Sequence, residues 1–257
     1  MRESSASLGE ALPLAPRPGR GPRVHDHAGM VEGLPPPGLD AATLRGLIQA
    51  AQEALLTELA RAMGPLPHPI ELLDLGCVRG GSPVYWAARH DAQVTAVTSV
   101  PSHVDIVRRR AQATGLGTRV RTLLGEPREV LGRARFDAVV AVEGGRAQPR
   151  ADWFRQARAL LHPGGILAVA DCFQGPRTGG VDAELDEARA AGLEVEARRD
   201  VSSRVVGFWT LTSELLARET ASARHAPREA QREHLSLQQG LLDGRLEYAL
   251  LVLRRRD

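Results

Sequence analysis

Glu71-Leu72-Leu73-Asp74-Leu75-Gly76-Cys77-Val78-Arg79-Gly80-Gly81 is the stretch that decides the fold. An apolar run of strand length meets a glycine-rich turn, and the turn opens onto residues with helical spacing. Glycines at such a junction let the backbone pass close to a nucleotide-like ligand with no Cβ in the way. The spacing is Asp74-x-Gly76-x-Val78-x-Gly80, which differs from the GxGxxG arrangement that cradles a pyrophosphate. Cys77 reads here as a small packing residue rather than a nucleophile.

Downstream of the strand at 71–75, short apolar runs follow at 93–98, 119–124, 137–142 and 166–171. Helical patterns lie between and after them, near 81–90, 102–114, 151–161 and 182–191. Strands alternating with helices predict an α/β fold whose mostly parallel sheet carries helices on both faces. Two further strands, 193–197 and 247–253, bring the sheet to seven. Before the last one come a helix-rich stretch, 211–242, and an Asp243-Gly244 turn. A helical excursion there, about 204–242, is a natural place for a substrate lid. Upstream, Leu44, Leu47, Ile48, Ala51, Leu55, Leu56 and Leu59 recur at helical spacing between Asp40, a ready N-cap, and Gly64-Pro65. The expected organisation is a disordered tail over 1–23, rich in Pro, Gly and Arg, then an arm and helix over 24–69 covering the active site. The core then runs from 70 to 257.

Of the 257 residues 43% are hydrophobic, enough for one sizeable core. Lys and Arg number 33 against 31 acidic residues, so a formal charge of +2 gives no electrostatic case for nucleic acid. Arg108-Arg109-Arg110 and Arg254-Arg255-Arg256 read as a solvated helix face and a solvated terminus. Cys77 and Cys172 lack CxxC spacing and a histidine cluster, which gives no support to a metal site and fits a reduced, cytoplasmic setting. No secretory h-region accompanies Arg2 and Glu3, and no run of about 18 apolar residues could cross a membrane. The expected partner is a small molecule, and a homo-oligomer is compatible with this composition.

The glycine turn resembles motif I of class I S-adenosylmethionine-dependent methyltransferases, whose acidic residue and glycines surround the methionine and ribose of the cofactor. Further landmarks follow in order. Val94-Thr95-Ala96-Val97-Thr98-Ser99-Val100-Pro101 is similar to a VTGVTLSP segment of one subgroup, with His103 at a position where that subgroup has an adenosine-holding Gln. Glu126 falls where the superfamily has an acid facing the adenine amino group. Phe136 to Glu143 resembles strand four, and Leu161-His162-Pro163-Gly164-Gly165 resembles the LxPGG turn into strand five. The resemblance implies a Rossmann-like methyltransferase fold and S-adenosylmethionine as cofactor. It places Asp74, Gly76, Cys77, Gly80, Thr98, Ser99, His103 and Glu126 on the cofactor side.

Within that superfamily the chain resembles the prenyl diphosphate C-methyltransferases. His25-x-His27-x-Gly29 is similar to their HxHxG, residues 47–52 to their RLExxQ, and Gly80-Gly81-Ser82 to the end of their GRGGS. Phe208-Trp209-Thr210-Leu211 is similar to YWEL, and 242–248 to the RDGxFxY before the last strand. The resemblance implies methyl transfer to an alkene carbon, with Glu143 as base or cation stabiliser. His25 and His27 are acid/base candidates because imidazole titrates near neutrality. Phe208, Trp209 and Tyr248 are substrate-contact candidates. Where the family pattern has charge, this chain has Leu47, Gln49, Thr210 and Leu242. A diphosphate needs cations or charge-assisted donors, so the acceptor expected is an uncharged terpenoid or other natural-product-like molecule. Val78 replaces a glycine of the loop, where its isopropyl group projects toward the cofactor. Three readings stay open: an active methyltransferase, a cofactor-independent cyclase or isomerase on this fold, and a non-catalytic partner of an active enzyme.

Overall fold

The structure is a computed structural model that describes residues 24–126, 129–130, 135–144, 149–220 and 228–256. The expected tail over 1–23 lies outside the described residues. The first helix, α1 (Ala41–Met63), starts where Asp40 accepts hydrogen bonds from the amides of Ala42 and Thr43, and it ends at Gly64 with φ +73°. Then come β1 (Glu71–Leu75), α2 (Gly81–Arg89), β2 (Gln93–Thr98), α3 (Pro101–Ala113), β3 (Val120–Leu124) and β4 (Phe136–Val142). The remainder is α4 (Arg150–Leu160), β5 (Leu161–Gln174), α5 (Gly180–Ala190), β6 (Leu193–Asp200), α6 (Ser202–Thr220), α7 (Arg228–Leu242) and β7 (Leu246–Arg255).

The sheet has seven strands in the order β3-β2-β1-β4-β5-β7-β6. Strands β1 to β5 run parallel where they pair, whereas β7 is antiparallel to both β5 and β6. This is the expected mostly parallel α/β architecture. Strand order reverses between β1 and β4, so the carboxyl ends of these two strands open the crevice where such sheets take ligands.

Alternation along the strands divides the core into two. Leu72, Ala138, Val140, Tyr248, Leu250 and Val252 face a layer built from α1, α2, α3, α6 and α7. Leu73, Leu75, Val139, Ala249, Leu251 and Leu253 face α4 and α5, where Trp153 and Phe154 pack edge to face. Asp74 shares a strand face with Leu72, so its carboxylate points under α2 rather than toward α4.

Three boundaries depart from the sequence reading. Helix α6 begins at Ser202, nine residues before the expected 211. Val205, Val206 and Gly207 are poor helix formers, but Gly207 lies where any Cβ would sit 3.2 Å from Cβ of Val31. Close packing of the N-terminal arm thus overrides propensity. Strand β6 continues to Asp200 because its charged residues lie on an edge, where Arg198 pairs with Asp182 and Glu247. The third departure lies in Arg254-Arg255-Arg256, of which only Arg256 is a solvated end. Arg254 and Arg255 belong to β7, where Arg254 binds Glu196 and the Gly164 carbonyl and Arg255 binds the Leu161 carbonyl; Arg256, just beyond the strand, pairs with Glu194.

Candidate active site

At the carboxyl end of β1 the chain turns through Gly76 (φ +89°) and Gly80 (φ +77°) into α2. A Cβ on Gly76 would meet Cα of Gly144 at 2.8 Å, and one on Gly144 would meet the Leu75 carbonyl at 2.4 Å. The glycine loop and the end of β4 are therefore juxtaposed backbone to backbone at the switch point. Glycine at both positions is a steric requirement.

Asp74 is buried, and burial pushes its carboxyl up to about 7 against the opposing hydrogen bond from Ser82. The Ser82 hydroxyl donates to Asp74 Oδ2 at 2.5 Å and accepts from the Trp86 indole at 3.1 Å. Asp74 thus braces the loop from beneath. Cys77 is also buried, its thiol held near the Val97 carbonyl, and burial beside Asp74 drives its pKa far up. A thiol so protonated is no nucleophile. At the end of β2, Thr98 is buried, its hydroxyl 3.3 Å from His103 Nδ1 and from the Val100 amide. Ser99 is exposed and Glu126 is half-buried, its amide donating to Glu129. Val78 is half-buried in the loop.

Across the crevice lies Glu143, directly after β4. Its φ of +51° is a left-handed conformation that costs a non-glycine residue about 1 kcal/mol. One oxygen, Oε1, accepts from the Tyr248 hydroxyl at 2.7 Å and from the Ala28 amide at 2.8 Å. Tyr248 is buried, and burial together with the neighbouring Glu143 and Asp171 raises its pKa well above the usual value. The phenol therefore stays protonated and donates.

The Ala28 amide belongs to an arm, residues 24–31, that crosses this end of the sheet. Gln52 of α1 donates to the His27 carbonyl at 2.6 Å, Met30 donates to the Ala51 carbonyl, and Val31 donates to the Arg204 carbonyl of α6. Asp26 pairs with Arg79 of the glycine loop at 2.7 Å. Two glycines seat the arm: a Cβ on Gly29 would sit 2.6 Å from the Ala51 backbone, and one on Gly81 would sit 2.3 Å from both the Val24 carbonyl and His25 Nδ1.

His25 and His27 are both buried in the arm and touch each other, Nδ1 to Nε2, at 3.2 Å. His27 Nδ1 lies 2.7 Å from the Ala28 carbonyl, which can only accept, so that nitrogen carries the proton. Burial lowers His27 to about 4, so its Nε2 is bare and accepts from His25 Nδ1–H. Burial, His27 and Arg110 lower His25 to about 3. Both rings are neutral near pH 7.

The expected site residues thus gather in two groups. Asp74, Gly76, Cys77, Gly80, Thr98, Ser99 and His103 line or brace the loop ends of β1 and β2. Glu143, Tyr248 and the histidine arm meet at the end of β4. Phe208 and Trp209 stand apart from a polar site: they are 3% and 5% exposed, edge to face in the layer over α1, with Trp209 against His234 of α7. Thr210, at the position of a family acid, is held by Gln238 of α7 at 2.6 Å. Sequence reasoning did not anticipate the Ala28 amide, Gln52, Ser82 or the Asp26–Arg79 pair as parts of the constellation. The signal that could have found them was glycine, at Gly29 and Gly81, where a backbone must come close.

A family profile described as a methyltransferase domain matches residues 72–165. The chain is 35% identical over 129 residues to an erythromycin 3''-O-methyltransferase of Saccharopolyspora erythraea, covering 49% of this chain and 42% of that protein. It is 32% identical over 181 residues to a 27-O-demethylrifamycin SV methyltransferase of Amycolatopsis mediterranei, covering 62% of this chain and 66% of that protein. The chain thus spans less than two thirds of either relative's length. Among solved structures, geranyl diphosphate C-methyltransferase of Streptomyces coelicolor A3(2), with Mg2+, geranyl diphosphate and S-adenosyl-L-homocysteine, superposes with a TM-score of 0.74 at 20% identity. That match covers 90% of this chain and 91% of the other. The [4+2]-cyclase SpnF superposes with a TM-score of 0.69 at 25% identity, over 90% and 87% of the two chains.

Proposed function

We propose that this chain, which has the class I methyltransferase fold and matches a methyltransferase-domain profile over 72–165, methylates a hydroxyl group of an uncharged, natural-product-like small molecule. The observation that carries this reading is the meeting of Glu143 with the glycine loop at the switch point, where Tyr248 and the arm hold the carboxylate. Gly76 and Gly144 are packed backbone to backbone, so a cofactor would lie over the open face of the glycine loop beside that contact rather than between the two. Asp74, through the loop it braces, with Gly76, Gly80, Thr98, Ser99, His103 and Glu126, would hold S-adenosylmethionine there. That cofactor supplies an electrophilic methyl group on a sulfonium.

The chain's own groups do the rest. Glu143 accepts the proton that the acceptor hydroxyl gives up, and its charge favours positive charge developing nearby. The buried arm excludes water from that end of the sheet. Leu47 packs beside Leu44, Leu211 and Leu215 between α1 and α6, and Thr210 is engaged with Gln238, so neither offers charge to a diphosphate. Oxygen as the acceptor atom rests on the names of the two sequence relatives; the prenyl diphosphate resemblance favours carbon instead, and the missing cations weigh against it.

The test is calorimetric titration of S-adenosylmethionine and S-adenosylhomocysteine into the native protein and into Val78→Gly. Micromolar binding by the native protein, about −8 kcal/mol, supports the reading, and a hydroxylated acceptor should then gain a methyl group while geranyl diphosphate should not. Absence of binding in both proteins would sink it. One observation favours a second reading: the [4+2]-cyclase neighbour shares the fold, and Val78 stands half-buried in the loop where the family pattern has glycine. Substrate turnover with no cofactor added would establish a cyclase instead.

A further inference from the structure

Tyr248 and Ala28 lie at opposite ends of the sequence, in β7 and in the arm, yet both donate to the same oxygen of Glu143. We propose that Tyr248 is a positioning residue for Glu143, and that its hydroxyl and the Ala28 amide make docking of the arm and alignment of the carboxylate one event. The inference rests on the methyltransferase reading for its catalytic consequence, but its geometry stands without it. A carboxylate with one donor on Oε1 can rotate about its terminal torsion, which is broad and soft. A second donor, approaching from another element, removes that freedom. The backbone of Glu143, held at φ +51°, fixes where its side chain leaves the end of β4 but not how the carboxylate turns, and that turn is what the two donors set.

The coupling runs both ways. Ala28 is fully buried beneath neighbours that also hold the glycine loop, since the adjacent Asp26 pairs with Arg79 and His25 rests on Gly81. When the arm lifts, Glu143 loses a donor. When Tyr248 loses its hydroxyl, the carboxylate that anchors Ala28 is no longer fixed. Tyr248 reaches the arm through the Glu143 carboxylate, so a purely structural tyrosine, whose ring packs equally well as phenylalanine, would leave the arm unaffected.

The experiment is amide hydrogen exchange over residues 24–31 of the full chain, native and Tyr248→Phe, together with calorimetric binding of S-adenosylmethionine and, where methyl transfer occurs, kcat and KM. Tyr248→Phe should speed exchange at the arm by about tenfold and lower kcat by a similar factor, with KM for the acceptor little changed. Gly81→Ala, whose new Cβ displaces the arm directly, marks the exchange rate of the released state. Arm protection that is the same in native and Tyr248→Phe protein overturns the proposal whatever the activity. A loosened arm in Tyr248→Phe, in a protein that transfers no methyl group, keeps the positioning role and removes the methyltransferase reading. Should Tyr248→Phe not fold, Glu143→Gln keeps an acceptor oxygen but no charge, and its arm must exchange faster than native for the proposal to stand.

Discussion

At the scale of single residues, Asp74 makes the sharpest statement. Its carboxyl is raised from 3.8 to about 7 by burial, so the folded state holds a proton that the unfolded state has released. Stability is therefore highest below pH 4 as far as this group is concerned, and it falls as pH rises toward 7, by roughly 4 kcal/mol at most. Asp74→Asn keeps an acceptor for Ser82 without the charge, and should flatten that slope; urea unfolding at pH 5 and pH 8 would reveal it. If native protein and Asp74→Asn lose stability in parallel between those values, burial is not what governs Asp74. Glu143 carries the other residue-scale cost. Glu143→Gly relieves a left-handed φ worth about 1 kcal/mol but strips the buried Tyr248 hydroxyl and Ala28 amide of their acceptor, so the melting midpoint should fall and turnover should be abolished; a midpoint that rises would mean those two hydrogen bonds contribute little.

At the scale of elements, the arm is the piece the sequence disclosed least. His25-x-His27-x-Gly29 was visible as a pattern, and acid/base chemistry was its expected use, but the structure buries both rings as neutral groups. Imidazole types alone do not say whether burial or solvent will set the pKa. The sign follows from burial. Both histidines have pKa values below the unfolded 6.5, so the arm's docking is fully stable above that pH. It weakens as pH falls from 6.5 toward 4, because the released arm takes up protons that the docked arm refuses. After correction for intrinsic exchange, protection over 24–31 should fall by roughly tenfold per histidine per pH unit in that window; protection that is flat from pH 7 to pH 5 would contradict it. Arg110 is the charged neighbour that adds to the step at His25. Gly81→Ala should release the arm at all pH values, leaving the sheet's amides protected.

At the scale of the whole molecule, Phe208 and Trp209 were expected at a substrate, yet they sit in the layer that joins α1, α6 and α7 to the sheet. Truncating either to alanine should cost roughly 3–5 kcal/mol of stability, read by urea unfolding. A variant that loses activity but keeps its unfolding midpoint would return them to the substrate side. The strands and their order were legible because alternating strand and helix signals are local and numerous: β1 and β2 start and end where their sequences say. Two strand ends were not: β6 runs past 197 to Asp200 once Arg198 finds Asp182 and Glu247, and Arg254-Arg255 read as solvent-facing charge until Glu196 and the Gly164 and Leu161 carbonyls supply their partners. The crevice at Gly76 was legible from glycine spacing; the meeting of residues 28, 143 and 248 was not, because no local pattern announces a contact across so much chain. Placement of β7 has one more consequence, for synthesis. The last of these seven strands in chain order is inserted between β5 and β6. Until the ribosome has delivered it, β6 has no seat and the flank of β5 stays open to any passing strand. A nascent chain of this fold can settle its first five strands early, but it must guard that open flank throughout the time taken to translate α6 and α7.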